Sequence, residues 1–310
     1  MEKTIDILCA GEILIDCIGQ QTNATLAETT SYARFLGGSP TNVAINAAKL
    51  GLRSALVASC GADGLGDFMI ASLQKAKVIT TQLSQKQDAS TSIILVSKST
   101  GTPDFIPYRT ADFLIERDQI PTAFLQQAKI FHTTCFGLSK NPAQNTIIES
   151  AQRAAQLDVK TSIDINFSER IWPNREEAKT IIARYLATNP LVKLSEDDCY
   201  RYFGETKSES FILDYFHKLG AATICLTKGK EGVVLSDNSY GKITQPALSI
   251  TDIKDATGAG DAFWTGFLYA QLQQKSFEET LVIAQKLAVL KLQHLGGLPN
   301  DVDIVTYLNN

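Results

Sequence analysis

The sequence lacks both an excess of basic residues and a long apolar run free of charges. Its 310 residues carry a formal net charge of −4, so no positive surface field favours nucleic acid, and any phosphate must be held locally. No uncharged apolar stretch reaches membrane-spanning length, and Asp6, Glu12 and Asp16 interrupt the N-terminal apolar segment. We therefore expect a cytoplasmic protein that binds neither nucleic acid nor a membrane.

Histidine and paired cysteines are also scarce. The 3 histidines are scattered, which gives little support to a histidine-based metal site or catalytic triad. The 6 cysteines include no C-x-x-C pair and lie mostly in apolar segments, so reduced core thiols are expected rather than disulfides or zinc ligands. No G-x-x-x-x-G-K-[ST] loop is present, which disfavours a P-loop nucleotidase.

Segments typical of strands and of helices alternate along most of the chain, up to a helix predicted over residues 277–295. This alternation predicts an α/β fold with a mainly parallel sheet covered by helices on both faces. Two β-rich segments, at about residues 13–36 and 88–112, interrupt the pattern and predict a small separate sheet. Ligands of such folds bind at the carboxyl ends of the strands. Four polar residues fall near these ends: Asp16, Asn166, Ser195 and Thr227.

The strongest functional pattern is Asp-Ala-Thr-Gly-Ala-Gly-Asp at residues 255–261, which leads into an apolar helix. Its glycines leave the backbone amides from Gly258 to Asp261 uncovered at a helix N-terminus, where the helix dipole attracts anions. In the simplest interpretation, Asp261 only caps the helix. A carboxylate beside an anion site also suits phosphoryl transfer to a hydroxyl group, because the amides stabilise the developing charge while the carboxylate accepts the proton.

An earlier glycine pair, Gly37-Gly38, precedes a predicted helix in which Ser39 can act as the cap and Asn42 can face a ligand. Two functions of other classes remain open at this point. An NAD-dependent oxidoreductase is disfavoured because Phe263 stands where a dinucleotide fingerprint requires a small residue. A sugar-binding regulatory protein would keep the cleft without the chemistry, and it would not need a base at Asp261.

Residues 255–261 together with Gly37-Gly38-x-x-x-Asn42 resemble the two signatures of the PfkB-type, ribokinase-like carbohydrate kinases, and the resemblance covers nearly the whole chain. It implies a ribokinase-like three-layer α/β/α fold. It also implies one kinase domain over residues 1–310, with the two β-rich segments forming a lid over the sugar. The implied ligands are the sugar, ATP and Mg²⁺, with K⁺ in many members, and the implied assembly is a homodimer formed through the lid.

The resemblance further implies a role for each matching residue. Asp261 is the expected catalytic base, beside an anion hole formed by the amides of Gly258, Ala259, Gly260 and Asp261. Sugar binding is expected of Asp16, Gly37, Gly38, Asn42, Arg109 and Asn166. Nucleotide binding is expected of Lys193, Ser195, Asp198, Thr227, Gly229, Gly232 and Gln285. A monovalent cation is expected beside Asp255, Thr257, Lys291, His294, Gly296 and Asn300, although the position of Lys291 usually holds a small residue.

The substrate is expected to be a neutral sugar. Residues 105–114, which contain Tyr108-Arg109, resemble the F-Y-R-x-x-A-D-x-L stretch of fructokinases, shortened by one residue. Ser168 stands where kinases of acidic sugars have an arginine against the carboxylate, and Arg170 follows two residues later. We therefore expect phosphorylation of fructose to fructose 6-phosphate, with 2-keto-3-deoxygluconate or another sugar of the family as the alternative.

Overall fold

The computed structural model describes residues 3–98, 104–250 and 252–309. Residues 99–103 of the second predicted lid segment therefore lie outside the described residues. The strands of the described chain are β1 (Ile5–Ala10), β2 (Leu14–Thr22), β3 (Tyr32–Gly37), β4 (Ser54–Gly61), β5 (Leu83–Lys86), β6 (Ile93–Lys98), β7 (Phe105–Tyr108), β8 (Ala128–Thr134), β9 (Lys160–Asp164), β10 (Leu191–Ser195), β11 (Thr223–Thr227), β12 (Val233–Asp237) and β13 (Gly241–Gln245).

Nine of these strands form the larger sheet, in the order β13-β12-β11-β10-β9-β8-β1-β4-β5. The neighbouring pairs from β11 to β5 are parallel, whereas β12 and β13 pair antiparallel at one edge. Strands covered on both faces are largely apolar, and all eight residues of β4 are buried. The prediction of a mainly parallel sheet is confirmed.

Helices cover both faces of the larger sheet. Alternate residues of β1 show this, because Leu8 packs in one buried cluster and Ile7 and Cys9 pack in another. The predicted three-layer α/β/α fold is therefore confirmed. The helices are α1 (Ser39–Lys49), α2 (Gly64–Lys75), α3 (Thr122–Leu125), α4 (Ala143–Gln156), α5 (Arg175–Leu186), α6 (Glu196–Phe203), α7 (Glu209–Lys218), α8 (Ala259–Leu272), α9 (Phe277–Leu292) and α10 (Ile304–Asn309).

Helix α8 is buried on nearly every side, which fixes its N-terminal end in place. Trp264 is fully buried, stacks on Phe267 with ring centres 4.6 Å apart, and donates through Nε1 to Ser162 Oγ at 2.9 Å. A Cβ at Gly266 would lie 2.9 Å from Ala284 Cα, so the glycine allows α8 and α9 to pack closely. The first turn of α8 is thus held by the core and does not depend on a flexible loop.

The smaller sheet contains four strands in the order β3-β2-β6-β7. Strands β2 and β6 are parallel, and the other two pairs are antiparallel. These strands come from the two predicted β-rich segments, so the predicted small sheet is confirmed. Only residues 11–13 separate β1 of the larger sheet from β2 of the smaller one, which places Asp16 close to the junction of the two sheets.

The C-terminal part of the chain departs from the prediction. The helix predicted over residues 277–295 ends at Leu292, whose carbonyl oxygen accepts from Lys254 N at 2.8 Å. The chain then folds back, so that Gly296 N donates to Asp255 Oδ2 at 3.1 Å. Strand β13 and helix α10 were not predicted, because β13 is an exposed edge strand with little apolar pattern. Within the described ranges, every helix falls short of the length and hydropathy required to cross a membrane.

Candidate active site

Asp261 lies in the first turn of α8 and is 9% exposed. Its Oδ1 accepts a hydrogen bond from Ser39 Oγ at 2.6 Å, and its Oδ2 accepts one from Asn42 Nδ2 at 2.8 Å. Gly258 precedes the helix with a φ of 75°, a left-handed conformation that favours glycine. The N-terminal ends of α1 and α8 therefore meet at one carboxylate, and residues from both predicted signatures hold it.

The backbone amides beside this carboxylate are largely free. Within the described part of the chain, the N–H groups of Gly258, Gly260 and Asp261 have no acceptor, whereas Ala259 N donates to Ala256 O at 3.2 Å. A Cβ at Gly260 would lie 2.9 Å from Lys193 Nζ, so the ammonium group packs directly against the glycine. Free amides, the helix dipole and a fixed positive charge therefore converge where an anion can bind.

Lys193 and Asp164 form a buried ion pair on the strands behind this helix end. Lys193 Nζ lies 2.9 Å from Asp164 Oδ2, and both side chains are almost completely buried. Burial alone would lower the pKa of Lys193, but the carboxylates of Asp164, Asp198 and Asp261 outweigh it and raise that pKa above its usual value. Burial raises the pKa of Asp164. The Lys193 ammonium is thus a permanent charge beside the amides.

Asp16 in β2 lies directly over Gly37 of the neighbouring strand β3. A Cβ at Gly37 would overlap Asp16 Oδ2, so only glycine leaves room for the carboxylate here. Burial raises the pKa of Asp16 to about 7, and the negative charge of Asp261 adds to the increase. The two carboxylates therefore lie in one electrostatic environment, as expected if they face the same ligand.

Glu12 is a site residue that the sequence analysis missed. It is 2% exposed, its Oε1 accepts from Ser39 N at 3.1 Å, and its Oε2 accepts from Thr134 Oγ1 at 3.0 Å. Burial raises its pKa to about 8, although these hydrogen bonds and the charge of Arg109 act in the opposite direction. The available signal was an acidic residue inside an apolar run, directly after a strand.

Gly38 shows why the glycine pair is needed beside Glu12. Its φ is 102°, and a Cβ there would overlap the carbonyl oxygen of Glu12. Gly38 occupies the position before α1, and its lack of a side chain leaves the helix without a side-chain cap. Ser39 was predicted as that cap, but its hydroxyl group donates to Asp261 instead. That part of the prediction is wrong, because the helix begins at Ser39 itself and its cap position is therefore Gly38.

Arg109 was predicted to bind the sugar, and its own contacts are those of a buried ion pair. Its side chain is 4% exposed, and its Nε donates to Asp112 Oδ2 at 2.8 Å. The guanidinium carbon lies 4.2 Å from the centre of the Phe136 ring. Asn166 differs, because its buried Oδ1 has no hydrogen-bond partner within the described residues. Asn166 therefore offers a free acceptor, whereas the charge of Arg109 is already balanced.

Ser195 and Asp198 form a capping box at the start of α6. Asp198 N donates to Ser195 Oγ at 3.0 Å, and Ser195 N donates to Asp198 Oδ2 at 2.9 Å. The other carboxylate oxygen, Asp198 Oδ1, accepts from Arg201 at 2.8 Å. Both oxygens of Asp198 are therefore used inside the protein, and a bound phosphate or ion would reach this pair at its rim or through water.

The other predicted nucleotide residues lie on β11, the turn after it and α9. Thr227 ends β11, and the turn that contains Gly229 and Gly232 joins it to the antiparallel β12. Gln285 is buried in α9, where its Oε1 accepts from Leu248 N at 2.8 Å. Its Nε2 is buried without a partner among the described residues. Gln285 can therefore donate a hydrogen bond to a ligand.

The residues predicted to hold a monovalent cation surround Asp255. Its Oδ1 accepts from Thr257 N at 3.0 Å, and its Oδ2 accepts from Gly296 N at 3.1 Å and from Lys291 Nζ at 3.0 Å. Lys291 Nζ also donates to the carbonyl oxygens of Asp255 and His294. The Lys291 ammonium group therefore supplies a positive charge where the cation was predicted and occupies the oxygens of Asp255 and His294, so the predicted cation site does not fit these residues.

Asn300, the remaining residue of that prediction, is exposed. Residues 3–98, 104–250 and 252–309 contain no group of three or more histidine, cysteine, aspartate or glutamate side chains that could hold a metal ion.

Comparisons with known proteins agree with this geometry. The family described as pfkB family carbohydrate kinase matches residues 4–302. The chain is 34% identical over 306 residues to an ATP-dependent 6-phosphofructokinase of Thermoanaerobacterium thermosaccharolyticum, covering 98% of this chain and 93% of the relative. It is 27% identical over 304 residues to fructokinase-1 of Oryza sativa subsp. japonica, covering 95% of this chain and 94% of that protein.

The structure also resembles solved structures. It matches a fructokinase of Halothermothrix orenii with a TM-score of 0.82 and 33% identity, over 92% of this chain and 98% of that chain. The family match spans nearly the whole chain, and the three-layer fold and the small sheet agree with it. The predicted family is confirmed, and the chain belongs to the pfkB family of carbohydrate kinases.

Proposed function

We propose that this kinase transfers the γ-phosphoryl group of ATP to a primary hydroxyl group of fructose. The observation that carries the proposal is the Asp261 carboxylate, which Ser39 and Asn42 hold beside free amides and the Lys193 ammonium. A base next to an anion site is the arrangement that phosphoryl transfer to a hydroxyl group requires. The names of the relatives, a 6-phosphofructokinase and fructokinases, support the choice of sugar.

The proposed reaction assigns one task to each group. The oxygen of the sugar hydroxyl group forms a bond to the γ-phosphorus, and Asp261 accepts the proton of that hydroxyl group. At the same time the bond between the γ-phosphorus and the bridging oxygen of ADP breaks. The free amides of Gly258, Gly260 and Asp261, together with Lys193, stabilise the negative charge on the transferred group. We propose that the sugar is bound by Asp16, Gly37, Gly38, Asn42, Arg109 and Asn166. The free Oδ1 of Asn166 suits a sugar hydroxyl group.

The proposed ATP side contains Lys193, Ser195, Asp198, Thr227, Gly229, Gly232 and Gln285. The free Nε2 of Gln285 suits a ring nitrogen of the base. A Mg²⁺ ion that arrives with ATP keeps several water ligands and needs few protein ligands. Asp164 Oδ1, which is buried without a partner in the described chain, fits such a water or the ion itself. When bound, Mg²⁺ neutralises part of the phosphate charge.

We propose that the small sheet is the lid of a single kinase domain and that it also mediates a homodimer. Phe35, Ile106 and Tyr108 of this sheet are large apolar residues that are 37%, 38% and 55% exposed. Apolar side chains on an exposed sheet support contact with a second copy. A cytoplasmic location is proposed because all six cysteines are free thiols, which suits a reducing compartment.

A neutral sugar is proposed because the arginines near the small sheet are already paired. Arg109 bonds to Asp112, and Arg170 forms an ion pair with Asp104. Fructose 6-phosphate is a second candidate, favoured by the name of the relative with 34% identity. The positions of two cations also favour fructose 6-phosphate. Lys140 Nζ lies 5.0 Å and the Arg109 guanidinium carbon 5.9 Å from the centre of the same ring, Phe113, and this pair of positive charges suits a phosphate group.

The experiment that tests the proposal is an ADP-release assay over fructose, fructose 6-phosphate, ribose, tagatose, 2-keto-3-deoxygluconate and adenosine. We expect the highest kcat/KM with fructose. A clear preference for fructose 6-phosphate or for the acidic sugar would reassign the substrate and the tasks of the arginines. Tight sugar binding without ATP turnover would indicate a regulatory protein, and binding of NAD(H) would indicate an oxidoreductase.

A further inference from the structure

Lys291 makes contacts that differ from those of Lys286, the other lysine of its helix. Its side chain is 4% exposed, and its Nζ donates to Asp255 Oδ2 at 3.0 Å, to Asp255 O at 3.2 Å and to His294 O at 3.1 Å. Two carbonyl oxygens and one carboxylate oxygen thus surround a single buried positive charge. All three donor hydrogens of the ammonium group have a partner.

These oxygens would repel one another without a cation between them. His294 O lies just beyond the C-terminal end of α9, where the free carbonyl groups and the helix dipole concentrate negative charge. The Asp255 carboxylate adds a full negative charge at the same place. Oxygen sets of this kind bind hard cations, and an ammonium group carries the same charge as a K⁺ ion and has a similar radius.

The position of Lys291 connects this charge to the active site. A Cβ at Gly258 would lie 3.8 Å from Lys291 Cε and 3.7 Å from Asp261 Oδ2. The loop that Lys291 holds therefore also contains Gly258, whose free N–H group belongs to the anion site. A Cβ at Gly296 would lie 3.7 Å from the Phe35 ring, so the segment after α9, which supplies His294 O, also contacts the small sheet.

We infer that the Lys291 ammonium is a built-in cation that replaces a monovalent metal ion beside the anion site. A metal ion has no room among the three oxygens, because the ammonium group already uses them and would repel a second cation. Lys291 is thus a positioning residue, which holds the loop of Asp255 and Gly258 in the conformation that presents the amides. The kinetic part of this inference rests on the proposed function, whereas the ion requirement itself does not.

The test compares the wild type with Lys291→Ala, Lys291→Met and Lys286→Ala. Lys286 is the matched control, because it lies on the same helix and donates to a single carbonyl oxygen, Leu308 O, at 3.3 Å. Each protein is exchanged into a buffer in which tetramethylammonium is the sole monovalent cation. Potassium, ammonium, sodium or lithium chloride is then added at constant ionic strength, and both the thermal unfolding midpoint and kcat are measured.

We expect K⁺ to change neither quantity for the wild type and the control. Lys291→Ala should lose roughly tenfold or more in kcat without K⁺, because the loop is no longer held. K⁺ and ammonium should restore most of the lost kcat of Lys291→Ala and raise its unfolding midpoint by several degrees, and lithium should do neither. Lys291→Met should stay impaired in every salt, because its side chain fills the space without a charge.

The inference would be overturned by activation of the wild type by K⁺, or by a Lys291→Ala protein that responds to K⁺ in neither measurement. A Lys291→Ala protein that remains unfolded in K⁺ would also overturn it, since the ion should replace the lost charge. The unfolding midpoint separates this inference from the proposed function. If no sugar is phosphorylated, the proposed function fails, and the ion dependence of unfolding still decides the role of Lys291.

Discussion

Asn42 Nδ2 lies 2.8 Å from Asp261 Oδ2, although 219 positions separate the two residues in the chain. The contact joins the first turn of α1 to the first turn of α8. A single hydrogen bond therefore links a residue proposed to bind the sugar with the proposed base. The orientation of the carboxylate depends on a helix that belongs to the other end of the sequence.

Replacement of Asp261 by asparagine tests the base directly. The amide can keep both hydrogen bonds, to Ser39 and Asn42, but it cannot accept a proton at neutral pH. We expect kcat to fall by ~10²–10⁴-fold while the dissociation constant of the sugar stays nearly unchanged. Single-turnover kinetics and calorimetry measure the two quantities.

The control for this variant is Asp67→Asn, which alters another carboxylate in the first turn of a helix, α2. It should leave both quantities unchanged. Turnover of Asp261→Asn close to that of the wild type would show that another group accepts the proton.

Gly37→Ala should weaken sugar binding selectively. The added methyl group would overlap Asp16 Oδ2 and push the carboxylate away from its position. We expect KM for the sugar to rise by roughly tenfold or more with a much smaller change in KM for ATP, since each lost hydrogen bond to a charged group weakens binding by about 1.5–3 kcal/mol. Gly64→Ala is the matched control, because a Cβ there would meet open space. Equal changes in both KM values would argue against a sugar contact at Asp16.

Lys193→Met should lower stability as well as activity. It leaves the Asp164 carboxylate buried without its partner, which destabilises a protein by about 3–5 kcal/mol. The loss should shrink at acidic pH, because a carboxyl group with a raised pKa is more easily protonated in the folded state and the buried charge then disappears. Urea denaturation at two pH values measures this trend.

The matched control for this pair is Lys129→Met, which removes a partly exposed ion pair with Asp6. Its effect should stay below about 1 kcal/mol. A loss of stability in Lys193→Met that is independent of pH would contradict the role assigned to the Asp164 charge.

The raised pKa of Glu12 predicts how the free energy of unfolding depends on pH. Its pKa is raised from 4.5 in an unfolded chain to about 8 in the folded protein. Between these values the folded state holds a proton that the unfolded state releases, so its contribution to stability is complete at low pH and is lost as pH rises through about 8. Glu12→Gln keeps acceptor and donor contacts to Ser39 and Thr134 and does not ionise.

We therefore expect the free energy of unfolding of the wild type to fall by about 2–3 kcal/mol more than that of Glu12→Gln between pH 6 and 9. Denaturant unfolding at several pH values measures the difference. Parallel curves for the two proteins would show that Glu12 ionises normally in the folded state. Glu12→Asp offers a comparison that keeps the charge but shortens the side chain.

The sequence predicts much of this architecture because its apolar pattern is strong. The parallel sheet follows from short apolar runs such as Ile224–Leu226 that are buried on both faces. The meeting of Asn42 and Asp261 could be expected because both lie at helix starts after strands or loops at one side of such a sheet. The edge strand β13 lacked this pattern and was missed.

The details of the site depend on contacts between residues that are distant in the chain, which a local pattern does not contain. Glu12 lay within a strand-like run, and its burial follows only from the approach of Ser39 and Thr134. Lys291 matched the position of a cation ligand, and only the fold shows that its ammonium group points at Asp255. Arg109 and Asp112 are three residues apart, so a local pattern contains their ion pair, whereas the burial of the pair depends on distant parts of the chain.

The short connection from β1 to β2 has a mechanical consequence. If the small sheet rotates about residues 11–13, Asp16 lies roughly 10 Å from the pivot, whereas Thr22 at the far end of β2 lies roughly 30 Å from it, at the usual rise of a strand. For a rigid lever, displacement grows in proportion to distance from the pivot. The outer end would therefore sweep through about three times the arc of Asp16. In such a rotation the outer end of the strand would open the site to solvent, while the Asp16 carboxylate would move about one third as far.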